Sequence, residues 1–227
     1  MKEFKYIGNT IQPVDYARQI TENGSGKRMY ATPSGVIYPS ITTILNILSE
    51  DHLQKWRKRI GDKEADRIGK YSRERGDVIH DMVEKYLKNQ DPKDFLPQDP
   101  MLKILFKQMR PYLDKIDLIE ALETPLYSDK FKLAGRCDCI ATYDGITSVI
   151  DFKGSGKEKK ESWIKNYYIQ ASFYAAAYFE RTGIWIPQIV IMITGEEGGT
   201  QIFKEKPWTW WDDLNKVRKL YKEREGI

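Results

Sequence analysis

Through the first half of the chain, apolar residues recur at three- and four-residue steps, the mark of helices that bury one face. Ile68, Val78, Ile79, Met82, Val83, Tyr86 and Leu87 keep this spacing and predict one long or kinked helix over residues 62–87, with Gly76 as its weak point. After a proline-rich loop at residues 91–100, the run Met101, Leu102, Leu105, Phe106, Met109, Tyr112 and Leu113 repeats the pattern. Upstream, Pro39 and Ser40 precede Ile41, Ile44 and Leu45, so a helix is expected to start near Ser40. A second helix is expected to follow and to carry Lys55-Trp56-Arg57-Lys58-Arg59. Before it all, residues 1–38 are polar and punctuated by glycine, with a flexible turn at Asn23-Gly24-Ser25-Gly26 and a small hairpin over residues 30–38.

The pattern then changes to strand-like runs at residues 118–127, 133–143 and 146–152, the last two joined by Asp144-Gly145, a strong hairpin signal. Three antiparallel strands are the simplest arrangement. A helix over residues 160–181, a strand at 187–193, a short strand at 200–204 and a helix from Pro207 complete the chain. Helices, three strands, a helix and more strands predict an α/β fold, a mixed central sheet flanked by helices. One folded unit is expected, with residues 1–38 a lead-in, 39–116 mainly helical and 117–227 the sheet core.

Composition narrows the possibilities only a little. The chain has 227 residues, 41% of them apolar, enough for one substantial core. Charged residues make up 31%, yet the net charge is only +4, so any nucleic-acid contact must be local. Cys137 and Cys139 lie two apart in a strand-like run, where alternate positions share a face but seldom form a disulfide, so they read as buried thiols in a reducing compartment. No window is apolar enough to span a bilayer and no apolar signal core follows Met1-Lys2-Glu3-Phe4-Lys5, so a soluble, cytoplasmic chain with no membrane partner is expected.

Chemistry concentrates on the central hairpin. The apolar pair Val149-Ile150 ends in Asp151-Phe152-Lys153, and the partner strand carries Asp138 shortly after Gly135. Asp151 and Lys153 are two apart, so their side chains leave the same face of the strand. Paired carboxylates suit a hard cation such as Mg²⁺ or Mn²⁺, with the Phe152 carbonyl and water filling the coordination shell. A lysine beside such an ion can orient or help deprotonate an attacking water, an arrangement suited to phosphodiester hydrolysis. Acid-x-Lys alone is unselective, because Glu3-Phe4-Lys5, Asp91-Pro92-Lys93 and Glu158-Lys159-Lys160 also match, and solvated charges at a strand end are the plain alternative. Only Asp151-Phe152-Lys153 ends an apolar run paired with a second acid.

Gly135-Arg136-Cys137-Asp138, then Asp151-Phe152-Lys153, then Gln170 and Tyr174 resemble, in order, the Gly-x-x-Asp, Asp-x-Lys and Gln-x-x-x-Tyr motifs of the RecB-like branch of the PD-(D/E)xK superfamily. His80 and Glu84 match that branch's upstream helical histidine motif. The chain is also similar to the mitochondrial genome maintenance exonuclease group and phage-encoded exonucleases, whose helical region begins with a Pro-Ser-Val-Thr-like segment; here it is Pro39-Ser40-Ile41-Thr42, with Trp56 downstream. The likeness spans roughly residues 38–181. It implies a restriction-endonuclease-like mixed sheet behind a helical N-terminal region, and a metal-dependent DNA nuclease acting as an exonuclease on single-stranded ends in replication, repair or recombination. A structure-specific endonuclease, or a catalytically silent DNA-binding or recombination partner of the same fold, are the alternatives. If the chain is phage-encoded, its place is the host cytoplasm. Some relatives hold an iron–sulfur cluster with four cysteines, whereas two are present here, so no cluster is expected.

In this assignment Asp138, Asp151, Lys153 and Gln170 are the candidate catalytic groups, and His80, Asp138, Asp151 and the Phe152 carbonyl the metal ligands. A histidine on the apolar side of a helix is more often a core residue, and the family position reverses that. An imidazole ligand makes Mn²⁺ at least as effective as Mg²⁺. Glu84, Glu123 and Tyr174 are secondary candidates: Glu84 supports the histidine or is a polar-face residue, and Tyr174 grips a phosphate, orients Lys153 or packs in the core. Ser40, Thr42 and Thr43 at a helix start are candidate DNA contacts, although capping explains Ser40 as well. Lys55, Trp56, Arg57 and Arg59, with Arg73 and Arg75, are candidates for a single-strand path or simply a solvated face. The mixed charges from Lys216 to Glu225 read as a solvated helix.

Overall fold

Ser40 Oγ accepts a hydrogen bond from the Thr43 N–H at 2.9 Å, and this cap starts a helix, α1 (Ile41–Ile60), in the computed structural model of the chain, which describes residues 2–7 and 27–226. Before it, β1 (Met29–Ala31) and β2 (Ile37–Pro39) form the expected hairpin; the turn expected at Asn23-Gly24-Ser25-Gly26 lies outside the described residues. The separate second helix is corrected, because α1 runs unbroken through Lys55 to Arg59 and stops only at Gly61, where φ is +85°. Its buried residues, Ile41, Ile44 and Leu45, lie in the first two turns. The rest faces solvent, and an exposed helix leaves no apolar period to read.

Next, α2 (Asp62–Leu87) is one helix through Gly76, as the spacing predicts. Asp91 caps a short helix, α3 (Pro92–Phe95), inside the expected loop, and α4 (Pro100–Leu113) follows its own cap, Asp99. Strands β3 (Ile116–Ser128), β4 (Leu133–Tyr143) and β5 (Ile146–Ser155) are antiparallel neighbours. Asp144 and Gly145, with φ of +47° and +80°, form the two-residue turn between β4 and β5. Helix α5 (Lys165–Thr182) crosses over to β6 (Gln188–Gly195), which pairs parallel to β5, and β7 (Gly199–Glu205) pairs antiparallel to β6. Helix α6 (Trp211–Glu225) ends the described chain.

The fold is a mixed α/β sheet in the order β3-β4-β5-β6-β7 with helices on both faces. Ile189, Ile191 and Ile193 of β6 pack with α1, α5 and α6, while Val190 and Met192 pack with α2 and α4. A strand buried on both faces reads as one apolar run, as this one does. The lead-in is part of the fold: Phe4 is buried in the α2/α4 core, and Lys5 and Ile7 bond to Ile119 on the outer edge of β3, at 2.7 and 2.9 Å. No helix among the described residues is long and apolar enough to cross a membrane.

Gly154 sets how closely α2 approaches β5, since an added Cβ would fall 2.6 Å from Ile79 Cδ1. Gly76 has open space around its Cα. Gly154→Ala is therefore expected to destabilise the protein by roughly 1–3 kcal/mol through overpacking, and Gly76→Ala to stabilise it by about 1 kcal/mol through helix propensity. Urea denaturation of the two variants measures both, and shifts of the same sign would refute the close seating of α2.

Candidate active site

β4 and β5 pair as far as Cys139 and Ile150, and there the ladder stops. Asp138 Oδ2 instead accepts the Phe152 N–H at 2.9 Å, a charge-assisted bond in a buried position. In an extended strand the N–H and C=O of one residue leave by the same edge, so the Phe152 carbonyl also faces this opened side. The side-chain alternation inverts at the same place. Cys137 packs with the α1/α5 core and Cys139 with the α2/α4 core, although they are two apart. On β3, Leu122 and Leu126 are likewise split between the two cores. Both thiols are free and buried, but on opposite faces rather than sharing one. Burial raises both thiol pKa values, which keeps them protonated.

Because β3 and β4 invert together, their register holds: Leu122 pairs with Cys139 and Thr124 with Cys137, which sets Glu123 opposite Asp138. Glu123 has φ of +48°, a left-handed conformation that is costly for a residue with a side chain and is found at functional sites. His80 comes from α2, whose position Gly154 sets. Its Nδ1 lies 3.7 Å from Asp138 Oδ2 and 3.8 Å from Glu123 Oε1. Burial disfavours the imidazolium, but its acidic neighbours Asp138 and Glu123 outweigh it and raise the His80 pKa. Ligand atoms of His80, Glu123 and Asp138 all lie within 4.8 Å of one another.

Asp151 stands apart from that trio. Oδ2 makes an ion contact with Lys153 Nζ at 2.5 Å without a directional hydrogen bond, and Oδ1 has no partner among the described residues. Burial pushes the Asp151 carboxyl up to about 6, against the charge of Lys153 and with that of Asp138. For Lys153, burial is outweighed by the charges of Asp151 and Asp138, so the ammonium is held above its ordinary value. The ring centroid of Tyr167 lies 5.3 Å from Nζ, a cation–π contact. One imidazole, three carboxylates and a buried oxygen without a partner fit a divalent cation.

The cleft above these groups is about 520 Å³. One wall is a face of α2 with Asp77, His80, Asp81 and Glu84, and Arg28, Thr42 and Arg136 stand on other sides. Gln170 Nε2 donates to Tyr174 Oη at 3.3 Å, and both reach the cleft from α5. A Cβ on Gly135 would lie 2.8 Å from Tyr174 Oη, so the glycine is what lets the tyrosine cross β4.

Of the residues singled out in the sequence, His80, Glu84, Glu123, Asp138, Lys153, Gln170, Tyr174 and Thr42 line this cleft, with Asp151 and Phe152 buried in the adjoining strand. Glu84 is also paired with Lys88 at 2.6 Å. Others are not at the cleft. The Ser40 hydroxyl is buried in its cap, and Thr43 Oγ1 bonds the Arg28 backbone. Lys55, Trp56, Arg57 and Arg59 follow Thr42 by about 20 Å or more along α1, and Arg57 is held by Asp62 and Asp66 at 2.8 and 2.7 Å. Arg73 is exposed two turns before His80. Arg75 is buried and ion-paired with Glu196, which the β6–β7 turn brings to it from far along the chain. Sequence reasoning passed over Asp77, Asp81 and Tyr167, although their helical spacing from His80 and Gln170 was a usable signal. Arg28 carried none, since only tertiary folding brings it near.

No protein-family profile matches the chain. Mitochondrial genome maintenance exonuclease 1 of Mus musculus is 28% identical to it over 138 residues, 57% of this chain and 40% of that protein. The chain thus aligns with less than half of that relative's length. A solved structure from Eubacterium rectale, described as a candidate exonuclease, is similar at a TM-score of 0.46 and 11% identity, covering 66% of this chain and 65% of that one.

Asp151 and His80 both hold protons more tightly in the folded, metal-free protein than in the unfolded chain. The folding stability linked to Asp151 is therefore present below its ordinary value near 4 and is lost as pH rises through about 6. The His80 contribution disappears above its own raised value. A cation that displaces these protons should stabilise the fold more at high pH than at low pH. The Mn²⁺-induced rise in thermal midpoint is accordingly expected to grow between about pH 5 and pH 8 and to vanish in Asp138→Asn. A rise equal at both ends of that range, or retained in Asp138→Asn, would contradict this site.

Proposed function

We propose that this chain is a divalent-metal-dependent deoxyribonuclease of the PD-(D/E)xK class that removes nucleotides from single-stranded DNA ends. The observation that carries the reading is the meeting of His80, Glu123 and Asp138 beside Asp151 and Lys153, in one cleft where two strands part. The 28% identity to a protein named as an exonuclease supports the same class. Residues 39–116 belong to this unit, because α2 supplies His80 to the sheet.

His80, Glu123 and Asp138, with Asp151 and the Phe152 carbonyl adjoining, would hold the metal, and the nitrogen donor would make Mn²⁺ at least as effective as Mg²⁺. When bound, the ion polarises the phosphodiester and lowers the pKa of a water. Lys153, held protonated by its acidic neighbours, positions that water or a phosphate oxygen through its charge. Gln170 and Tyr174 offer hydrogen-bonding groups on the opposite side of the cleft. The cleft, about 520 Å³, is large enough to admit a nucleotide.

With Mn²⁺ present, the wild type is expected to release nucleotides from end-labelled linear single strands, and Lys153→Ala to be slower by about 100-fold or more. Covalently closed single-stranded circles should stay intact. Background activity in both proteins would overturn the enzyme, and circles cut as fast as linear strands would make it an endonuclease.

A further inference from the structure

Trp163 ends a short 3-10 turn, Glu161–Trp163, just before α5, on which Tyr167, Gln170 and Tyr174 are spaced by three and four residues along one side of the helix. Three of them are placed by the site: Gln170 and Tyr174 line the cleft, and Tyr167 meets Lys153. Trp163 stands four residues before Tyr167, outside the hydrogen-bonded turns of α5. It has no part in the nuclease site described above, and at 62% it is the most exposed of the large apolar residues described.

The segment before Trp163, residues 157–161, carries three lysines and two glutamates. Lys160 Nζ lies 5.5 Å from its ring centroid. Lys157, Lys159 and Lys160 make no ion pair among the described residues, while the nearby Glu161 accepts a hydrogen bond from Tyr168 at 3.1 Å. The segment is anchored because the Gln201 side chain bonds both the N–H and the carbonyl of Lys159, at 2.8 and 2.9 Å. A solvent-facing indole with the Lys160 ammonium beside its ring has the two parts that single strands require, a flat ring for a base and a cation for a phosphate.

We infer that Trp163 and Lys160 form a base-stacking and phosphate-contacting subsite for the single strand where it leaves the cleft. The inference rests on the nuclease reading for its choice of ligand, since it extends the same strand by a nucleotide or two.

Binding of a fluorescein-labelled single strand of about ten nucleotides to the full chain, without divalent metal, tests it by anisotropy. Trp163→Ala is expected to weaken binding by roughly 5- to 150-fold, and Trp163→Phe, which keeps a ring, by much less. Lys160→Gln should lower the salt dependence by about one phosphate contact. An abasic position scanned along the strand should reproduce the loss at one place in the wild type and add nothing in Trp163→Ala. Unchanged affinity in Trp163→Ala, equal losses in Ala and Phe, or no position-specific abasic effect would overturn the subsite. Hydrolysis of linear strands by the wild type without any Trp163 dependence sinks the subsite and leaves the nuclease standing. Trp163-dependent binding without any hydrolysis does the reverse.

Discussion

A carboxylate takes the place of a neighbouring strand at the centre of this protein. Where β4 and β5 cease to pair, the Phe152 N–H would be a buried donor with no acceptor, and such a group is expensive to leave unmet. Asp138 Oδ2 meets it, and in doing so is fixed at a chosen point. The inversion of β3 and β4 at that level turns Glu123 toward the same point, and the left-handed backbone of Glu123 is the strain that this alignment carries. The remaining acid, Asp151, is buried with an oxygen unpartnered among the described residues, and Lys153, with His80 behind it, offsets its charge. A sheet that only had to fold would not gather these groups.

Much of this was legible in the chain. The helical period gave α2 and α4, the Asp-Gly pair gave the central hairpin, and Ser40 marked the start of α1. The acids, the lysine and the histidine could be selected from context and family likeness. What sequence could not show was long-range. Glu123 joins the trio because two strands invert in register, and no period in either strand reports an inversion shared with its neighbour. Arg75 looked available because Glu196, more than a hundred residues away, leaves no mark near it. The exposed half of α1 had no buried face to reveal its continuity.

Two glycines in the motifs act through what they omit. Gly135 leaves room for Tyr174, and Gly154 for Ile79, so each admits a helix to the sheet at a distance a methyl group would forbid. The histidine arrives through one approach and the Gln170–Tyr174 pair through the other. Spacing between motifs in the chain is thus converted into spacing across the cleft by backbone-to-side-chain contact, not by the loops that join them.

The strap made by Lys5 and Ile7 bears on a matter separate from chemistry. β3 is an outermost strand, and an outermost strand offers free amides and carbonyls to any other chain that can extend alongside it. By occupying both groups of Ile119, with Phe4 sunk in the core as an anchor, the strap blocks that stretch of the border to intruders. Losing it would open a template for stacking one molecule's sheet onto the next, so these few residues guard against polymerisation as well as adding to the core.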